Sequence, residues 1–268
     1  MGLSGEPELP KSLPLEGLFS RHGYRPTMAL KRLRPDEYFN HHGPREILKQ
    51  RHALLERRPD AFVREPPTEE DCVAVIRFAG NFAKVSPVRT FRELGSLWEP
   101  DFVLLYRPAR QKIVGGCVCF PTGWTLEEKQ NHPLAFVHAP VPGLETQLGP
   151  SIERFFVNLK PQECYQRSNW SLTSSRQMNQ RPQDGIAELA ANCQPDRTFL
   201  RVEWQALMSI DPLRDIFGIR IYHLTLETVC QHREAATLLA ENLLTMPTEM
   251  LEYKRLAKCR DRIVELLR

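Results

Sequence analysis

A change of pattern in the middle of the chain limits the folds open to it. Residues 102–106 and 112–120 are rich in apolar and β-branched residues and flank a polar turn with a proline, which is the pattern of a β-hairpin. Three more strands are predicted at about residues 168–173, 199–210 and 216–226. The segments before and after this block have helical spacing instead. The order of helices, sheet and helices predicts an α+β fold with five mostly antiparallel strands.

Apolar residues three and four positions apart predict the helices. One helix is expected at about residues 45–58 and another in the 70s and 80s. Residues 150–159 predict a helix that interrupts the sheet after its second strand. Residues 228–244 and 250–267 predict two further helices, which we expect to pack on the sheet.

These segments divide the chain into three parts. Residues 1–97 are expected to form an N-terminal arm and helical cover, and residues 98–227 the core that carries the sheet. Residues 228–268 are expected to form C-terminal helices that pack on this core. With 268 residues, of which 41% are hydrophobic, the chain is long enough to bury a substantial core. We therefore predict one structural domain built from three parts.

Composition and the first residues bear on where the protein resides. The mean hydropathy of −0.41, with no apolar run near 18 residues, excludes a membrane-spanning helix. The N-terminal sequence has neither the charged and apolar regions of a secretion signal nor the pattern of a transit peptide. Seven scattered cysteines, an odd number in a long chain, favour free thiols over disulfides. We expect a cytoplasmic protein with no membrane partner.

The positive charge is concentrated near the N-terminus. Residues 21–64 hold 11 Lys and Arg against 5 Asp and Glu, although the net charge of the whole chain is only +3. Such a stretch is compatible with nucleic-acid binding, with a solvated helical face, or with docking of an acidic redox partner. An isoelectric point near 8.5 without interleaved aromatic residues argues against nucleic acid, which we do not expect as a partner.

Common catalytic and metal-binding signatures are absent from the sequence. It has no Walker A loop, GxGxxG, GxSxG or HExxH motif, which removes the usual support for P-loop, Rossmann, hydrolase and zincin functions. Cys117 and Cys119 are one residue apart, and no second pair has zinc-ribbon spacing. Two small buried apolar residues are therefore the favoured interpretation of this pair.

Two adjacent glycines lie in the second strand of the hairpin. Glycine weakens a strand unless the backbone needs the space or the conformation that it allows. Gly115 and Gly116 therefore predict a β-bulge or the close approach of something bulky.

One of the eight histidines lies in an unusual context. His41, His42 and His52 occur in polar or charged segments and are expected at the surface. His138 lies within the apolar run 136–141, which prolines end, and an imidazole buried there without a partner would be costly. From the residues alone two interpretations stay open, a core histidine that the backbone satisfies or a ligand of a metal or haem.

Arg201, Glu203 and Gln205 form a polar row on one face of a predicted strand. The row points either to solvent or into a polar pocket. Arg167 and Trp170, near the start of the preceding strand, add a second arginine and an indole. An arginine that faces inward beside a cofactor could stabilise a developing negative charge or bind a carboxylate.

Six motifs in the central block, taken together, resemble those of the haem-dependent oxidative N-demethylase family. In chain order they are Gly116-Cys-Val-Cys-Phe-Pro-Thr-Gly-Trp124, Glu128-Lys129, Val137-His-Ala-Pro-Val-Pro-Gly143, Arg154-Phe-Phe156, Arg167-Ser-Asn-Trp170 and Leu200-Arg-Val-Glu-Trp-Gln-Ala-Leu207. They cover about residues 100–226, and their common order is more specific than any single motif.

The resemblance implies a fold and an activity. The fold is a PAS-like five-stranded antiparallel sheet that binds haem b, with N-terminal and C-terminal helical additions. The activity is that of a monooxygenase, which uses O2 to hydroxylate a methyl group of a small secondary amine such as dimethylamine. The product then breaks down to formaldehyde and the shorter amine, and a separate flavin/iron–sulfur reductase subunit supplies the electrons.

The resemblance also implies roles for individual residues. His138 matches the family's histidine before Pro-Val-Pro, and a neutral imidazole is a suitable axial ligand for haem iron. Arg201 and Glu203 match an Arg-Val-Glu strand and are implied as catalytic residues on the distal or propionate side. Glu203 could relay protons to bound oxygen or hold a cationic amine, and Arg201 could pair with a propionate.

Three further residues are implied as contacts of the cofactor. They are Arg167 and Trp170 of the Arg-Ser-Asn-Trp motif, and Gly116, which would leave room for the porphyrin. Trp204 stands where the family strand has a second arginine, so the substrate is left open. Two alternatives to the enzyme also stay open, a non-catalytic haem-PAS protein that senses a gas or haem, and a haem-free structural subunit.

Overall fold

The computed structural model describes residues 8–40, 45–83, 85 and 87–268. The strands are β1 (Lys31–Arg32), β2 (Val63–Arg64), β3 (Asp101–Tyr106), β4 (Lys112–Cys117), β5 (Cys164–Thr173), β6 (Phe199–Ser209) and β7 (Arg214–Thr225). The helices are α1 (Pro35–Phe39), α2 (Arg45–Arg57), α3 (Glu69–Gly80), α4 (Phe91–Leu97), α5 (Leu126–Lys129), α6 (Leu134–His138), α7 (Leu144–Asn158), α8 (Leu226–Gln231), α9 (Arg233–Thr245), α10 (Thr248–Tyr253) and α11 (Arg260–Leu267). Residues 1–7 of the predicted N-terminal arm, and His41 and His42, lie outside the described residues.

The described strands form one antiparallel seven-stranded sheet in the order β1-β5-β6-β7-β3-β4-β2. The mixed α+β fold and the antiparallel sheet are confirmed. The predicted count of five strands was wrong, because β1 and β2 add one two-residue strand at each edge. Strands that short have no alternation to detect, and they join the sheet through backbone pairing alone.

The predicted C-terminal helices each occur as two shorter ones. The segment expected at 228–244 divides into α8 and α9 at His232, and the segment expected at 250–267 divides into α10 and α11. The second division begins at Arg255, which has a left-handed φ of 56° and therefore ends α10. Across the described ranges, none of the helices combines the length and the apolarity that crossing a bilayer requires.

The pairing register divides the side chains of the sheet between two faces. Arg167 pairs with Gln205 and Asn169 with Glu203 across β5 and β6, so that these four side chains share one face. Arg201 lies two residues before Glu203 and shares it too. We call this side of the sheet the polar face.

The opposite face is apolar and aromatic, and the N-terminal helices cover it. The Tyr38 ring of α1 lies edge-on to Trp204 of β6, with 4.6 Å between the ring centroids. Next to it, the Phe39 ring packs against Phe78 of α3 at 4.9 Å. Gly218 of β7 leaves the room that Tyr38 occupies, since a Cβ there would lie 2.8 Å from the tyrosine Cε1. Helices α1 and α3 therefore lie against the apolar face of the sheet.

Helices α5 to α7 connect β4 to β5 and cover part of the polar face. Phe156 of α7 and Leu126 of α5 are buried in one apolar cluster with Val103 of β3 and Leu207 of β6. Val137 of α6 packs against the same cluster. The predicted helical interruption of the sheet is therefore confirmed, and it positions α6 above the polar face.

A buried ion pair joins α2 to the hairpin. Arg51, one of the basic residues near the N-terminus, is fully buried and pairs with Asp101 at the start of β3. The Asp101 carboxylate also accepts bonds of 2.8 Å from the backbone N–H groups of Cys119 and Phe120. The Arg51 guanidinium donates to Cys117 Sγ at 3.3 Å. Cys117 and Cys119 are buried and all seven cysteines are free thiols, as predicted.

The two adjacent glycines of β4 lie next to an irregularity in the pairing of β3 with β4. The register between β3 and β4 shifts between Leu104 and Leu105, which confirms the expected bulge. A Cβ on Gly116 would collide with the carbonyl oxygen of Phe102, and one on Gly115 would lie 2.8 Å from the carbonyl oxygen of Arg64. The glycines therefore let three backbone segments approach one another closely.

Asp215 is a fully buried carboxylate at the start of β7, and its charge state should affect stability. Burial raises its pKa from an ordinary 3.8 to about 6, against the opposing charge of Arg107. A carboxyl whose pKa is raised by folding stabilises the folded state at low pH, and this contribution is lost as the pH rises through about 6. At pH 8 the Asp215→Asn variant should therefore unfold with a free energy about 1–3 kcal/mol higher than the parent protein.

Urea denaturation at pH 8 and at pH 4 measures this difference. At pH 4 the asparagine and the largely protonated aspartic acid should behave alike. Asp196→Asn, which changes an exposed carboxylate, serves as the control and should shift neither curve. An equal effect of Asp215→Asn at both pH values would contradict the prediction.

Candidate functional site

A hydrogen-bonded row of side chains crosses the polar face. Arg201 Nε donates to Thr122 Oγ1 at 2.9 Å, and the Thr122 hydroxyl donates to Glu203 Oε1 at 2.6 Å. Gln205 Nε2 donates to the other oxygen, Glu203 Oε2, at 2.7 Å. Arg201, Glu203 and Gln205 are 0%, 8% and 8% exposed, so the row lies inside the protein and not in solvent. Both oxygens of the Glu203 carboxylate are thereby fixed in position.

A tight turn after β4 places Thr122 in this row. Gly123 adopts a left-handed φ of 72°, which favours glycine, and its N–H donates to Gln180 O at 2.8 Å. The segment that follows β4 is therefore held against the segment around Gln180. Sequence reasoning included Thr122 in a motif but gave it no role.

The Arg201 guanidinium forms its hydrogen bonds with groups of the protein itself. Nη2 donates to the carbonyl oxygens of Phe120 at 2.8 Å and Met178 at 2.9 Å. Nη1 lies 3.1 Å from His223 Nε2 and 3.4 Å from the Gln177 carbonyl oxygen. Burial lowers the pKa of Arg201 to about 10, against the opposing charge of Glu203. The side chain fastens two loops to β6, and its pairing with a propionate stays a prediction.

His223 is a buried histidine next to the row, and its ring has a hydrogen-bond partner. Burial and the charge of Arg201 lower the pKa of His223 to about 3, so the ring is neutral and its Nε2 accepts from Arg201. Its hydrogen-bonding capacity at that nitrogen is already used.

His138 differs from His223 because its ring makes no hydrogen bond to any of the described residues. It is the last residue of α6, and Pro140 soon after it prevents the helix from continuing. Burial and, to a smaller extent, the charge of Arg167 lower the pKa of His138 to about 4. A neutral, half-buried imidazole is available as a ligand. The interpretation as a core histidine that the backbone satisfies requires a hydrogen bond, and the described ranges contain none to this ring.

Arg167 of β5 links His138 to the buried row. Its charge acts on the pKa of His138, and the Glu203 carboxylate acts in turn on the pKa of Arg167, which burial lowers. The Arg167 Nε is buried and has no hydrogen-bond partner in the part of the chain that the structure describes. The structure therefore brings three of the sequence-predicted residues, His138, Arg167 and Glu203, into one electrostatic neighbourhood.

Lys254 joins this neighbourhood from the C-terminal helices, and no feature of the sequence indicated it. Its Nζ donates to the Trp170 carbonyl oxygen at 2.7 Å and lies 5.0 Å from the centre of the indole ring. Burial lowers the pKa of Lys254 to about 8, with opposing effects from Glu203 and Arg167. The ammonium group thus lies at the edge of β5, close to the charges of the polar face.

Two of the sequence-predicted residues lie apart from this group. Trp170 pairs with Val202 on the opposite face of the sheet, where its ring packs edge-on against Phe19 at 5.4 Å. Within the described residues, Trp170 is linked to the site through its contacts with Lys254. Gly116 is enclosed by neighbouring strands, as described above. Contacts of Gly116 and Trp170 with a cofactor stay predictions.

Two surface clefts, of about 520 and 500 Å³, lie away from His138 and Glu203. Phe120 and Met178 line the first cleft, and their carbonyl oxygens accept hydrogen bonds from Arg201. The second lies beside α7 and includes Tyr165 of β5. The buried row is therefore covered by the segments that flank it.

The chemistry of this donor set suits a haem. Among the described residues, no three His, Cys, Asp or Glu side chains are grouped as a metal site. A haem iron takes its four equatorial ligands from the porphyrin, so that one neutral imidazole such as His138 can suffice as the protein ligand. Arg167 and Lys254 add positive charge near a group that carries two carboxylates. The residues present therefore fit the group.

Comparison with known proteins agrees with this chemistry. A family model described as haem-dependent oxidative N-demethylase, alpha subunit-like, matches residues 45–264. The match begins with α2 and ends within α11, and it includes every residue of the polar face discussed above. No curated protein matches the chain.

Proposed function

Because the chain belongs to the haem-dependent oxidative N-demethylase, alpha subunit-like family, we propose that it is a haem-dependent monooxygenase acting on a small N-methyl amine. It would use O2 and electrons from a separate flavin/iron–sulfur reductase subunit in the cytoplasm, and release formaldehyde and the shorter amine. The observation that carries this proposal is a neutral His138, unpartnered within the described residues, in the electrostatic neighbourhood of the partly buried Arg167 and the buried Glu203.

The topology supports a PAS-like core for this function. The five long strands lie in the order β5-β6-β7-β3-β4, and the helical insertion follows the first hairpin of the core, β3 and β4. That insertion covers the polar face and carries His138. We place the haem between the polar face and this insertion.

Individual residues of the site would have different roles. His138 would bind the iron of haem b, and the bound haem would supply the activation of O2. Glu203 would hold a protonated amine or a proton at its carboxylate, which Thr122 and Gln205 keep in one orientation. Arg201 would act as a positioning residue, since it fixes the loop that carries Thr122.

The electron and proton balance of the overall reaction determines which reactants and products are measured. The amine methyl group gives up two electrons and O2 takes up four, so two electrons come from the reductase and two protons are consumed. The products are formaldehyde, the shorter amine and one water. Hydrogen peroxide can replace O2 with the two electrons and two protons, which gives a measurement that needs no reductase.

The test combines spectra with product analysis. Protein reconstituted with haem should show a Soret band that shifts on reduction and again with carbon monoxide. It should form formaldehyde from an N-methyl amine with O2 and a reductase, and also with hydrogen peroxide. Absence of a Soret band after reconstitution would overturn haem binding. A Soret band without formaldehyde from any N-methyl amine tested would overturn the enzyme and favour a non-catalytic haem sensor.

Glu203→Gln should keep the haem but slow the reaction. Glutamine has nearly the same shape and can still contact Thr122 and Gln205, but it neither carries a proton nor pairs with a cation. We expect formaldehyde formation with O2 to fall by about 100-fold or more. The measurement is the rate of formaldehyde formation per haem, with Glu188→Gln, which changes an exposed carboxylate, as the control.

Comparing O2 with hydrogen peroxide as the oxidant distinguishes the two possible roles of Glu203. If Glu203 relays protons, the variant should be less impaired with hydrogen peroxide, which brings its own protons. If Glu203 holds the amine, the KM for the amine should rise with either oxidant. A variant with parent-like rates and KM under both conditions would show that Glu203 has neither role.

A further inference from the structure

Three buried arginines elsewhere in this protein have carboxylate partners, and a fourth, Arg201, donates to the carbonyl oxygens of two loops. Arg51 pairs with Asp101, Arg220 with Glu99, and Arg214 with Asp71, the last at 2.6 Å. Taking a positive charge out of water is costly unless a negative charge or good hydrogen bonds compensate it. Positively charged side chains that lack such partners therefore stand out.

Arg167 and Lys254 are two such side chains. Within the described residues neither forms an ion pair, and Arg167 makes no side-chain hydrogen bond. Among the described residues Lys254 donates one hydrogen bond, to the neutral carbonyl oxygen of Trp170. Two of its three N–H groups are therefore available to a ligand. Glu203 is the carboxylate whose charge acts on both, and neutral donors already occupy its two oxygens. Two cations therefore lie near one carboxylate, and the charge at this edge of the sheet is positive.

The C-terminus of α10 holds Lys254 in place. Arg255 adopts the left-handed conformation, its N–H donates to Glu252 O at 2.9 Å, and Leu256 N–H donates to Leu251 O at 2.7 Å. This is the Schellman pattern, and the fully buried Leu256 anchors it. Lys254 is the C-cap residue, where a positive charge also meets the negative end of the helix. The ammonium group is thus presented to β5 from a fixed point.

We propose that Arg167 and Lys254 together form a carboxylate subsite, and that it binds the propionate groups of haem. The inference rests on the haem function proposed above and adds the residues that select for the acidic side chains of the porphyrin. The planar guanidinium of Arg167 can bind one carboxylate through two parallel bonds, and the ammonium of Lys254 offers a compact charge with donors to spare.

The subsite joins two parts of the fold. Arg167 belongs to β5 of the sheet, and Lys254 follows α10 in the C-terminal helices. A ligand with carboxylates at this place therefore bridges the sheet and the C-terminal helices. Haem binding should in consequence stabilise the packing of these helices, beyond what the bond to His138 provides.

The experiment compares haem with its dimethyl ester, in which both propionates are neutral. Apoprotein is titrated with each porphyrin, and the change in Soret absorbance gives the two Kd values. Lys254→Met and Arg167→Met should each weaken binding of haem by about 10-fold to 100-fold. Binding of the ester should be unchanged in both variants, and the Soret maximum of bound haem should stay where His138 ligation puts it.

Two further variants serve as controls. Lys254→Arg keeps the positive charge and should restore most of the affinity for haem. Arg181→Met removes a buried arginine whose Nε and Nη1 likewise have no partner among the described residues. Arg181 stacks on Phe62 beside the opposite edge of the sheet, so its removal should leave both Kd values as they are. Circular dichroism spectra of the apoproteins show whether each variant is folded.

The outcomes separate this inference from the proposed function. Parent-like Kd values for haem in both variants, or equal weakening of haem and ester, would overturn the carboxylate subsite and leave haem binding intact. Failure of the parent protein to bind either porphyrin would overturn both. Selective weakening of haem in Lys254→Met and Arg167→Met, with rescue by Lys254→Arg, would establish the subsite.

Discussion

His138→Ala is expected to weaken haem binding by at least about 100-fold while leaving the fold of the apoprotein unchanged. The ring is half-buried and makes no hydrogen bond to the described residues, so its removal costs the apoprotein little. Its pKa is held at about 4 by burial and by Arg167, so the nitrogen lone pair is free at neutral pH. Haem titration followed at the Soret band, with circular dichroism of the apoprotein, measures both expectations.

His132→Ala is the matched control, because His132 lies in the same insertion. Its ring stacks on Phe136 with 3.9 Å between the centroids and does not belong to the polar face. This variant should bind haem as the parent protein does. Added imidazole should restore a Soret band of the parent type to His138→Ala. Full haem retention by His138→Ala, together with loss by His132→Ala, would move the ligand to His132.

Much of the fold could be predicted because the long elements carry periodic signals. Strand β6 alternates polar and apolar side chains, and each row lies on the face that its period assigns. Helices α2 and α3 follow apolar residues at helical spacing. The edge strands β1 and β2 escaped detection, since two residues of backbone pairing leave no pattern in the side chains.

The candidate site was predictable only where local sequence creates a conflict. An imidazole in an apolar run is such a conflict, and so is a polar row on a buried strand. Lys254 and Thr122 create none, because the first is an ordinary helix-end lysine and the second an ordinary turn residue. Their positions depend on contacts across 84 and 81 residues of sequence, to Trp170 and Glu203. Such contacts leave no mark in a single sequence.

The two arginines of the polar face show why a residue type in a motif does not give its role. From the sequence Arg167 and Arg201 were both candidates to hold an anionic group. In the structure, all three nitrogens of Arg201 contact protein groups, whereas Arg167 has no hydrogen bond among the described residues. The first is built into the fold, and the second is free to meet a ligand.

Arg201→Met is therefore expected to lower the free energy of unfolding of the apoprotein by about 3–5 kcal/mol. The substitution leaves buried acceptors without donors, namely the hydroxyl of Thr122, the carbonyl oxygens of Phe120 and Met178, and the Nε2 of His223. Each unsatisfied buried acceptor costs about 1–3 kcal/mol, and partial relaxation of the two loops offsets part of the sum. Urea denaturation without haem measures the change.

Arg167→Met gives the comparison that decides the assignment. It removes an arginine of the same face, but one without a hydrogen bond to the described residues, so the apoprotein should lose less than about 1 kcal/mol or gain stability. The two variants should thus differ in which property is lost. Arg201→Met should be less stable, whereas Arg167→Met should bind haem more weakly but bind its dimethyl ester as the parent protein does. Equal unfolding midpoints for the two would show that Arg201 does not fasten the loops, and its predicted contact with a propionate would again be the better account of its burial.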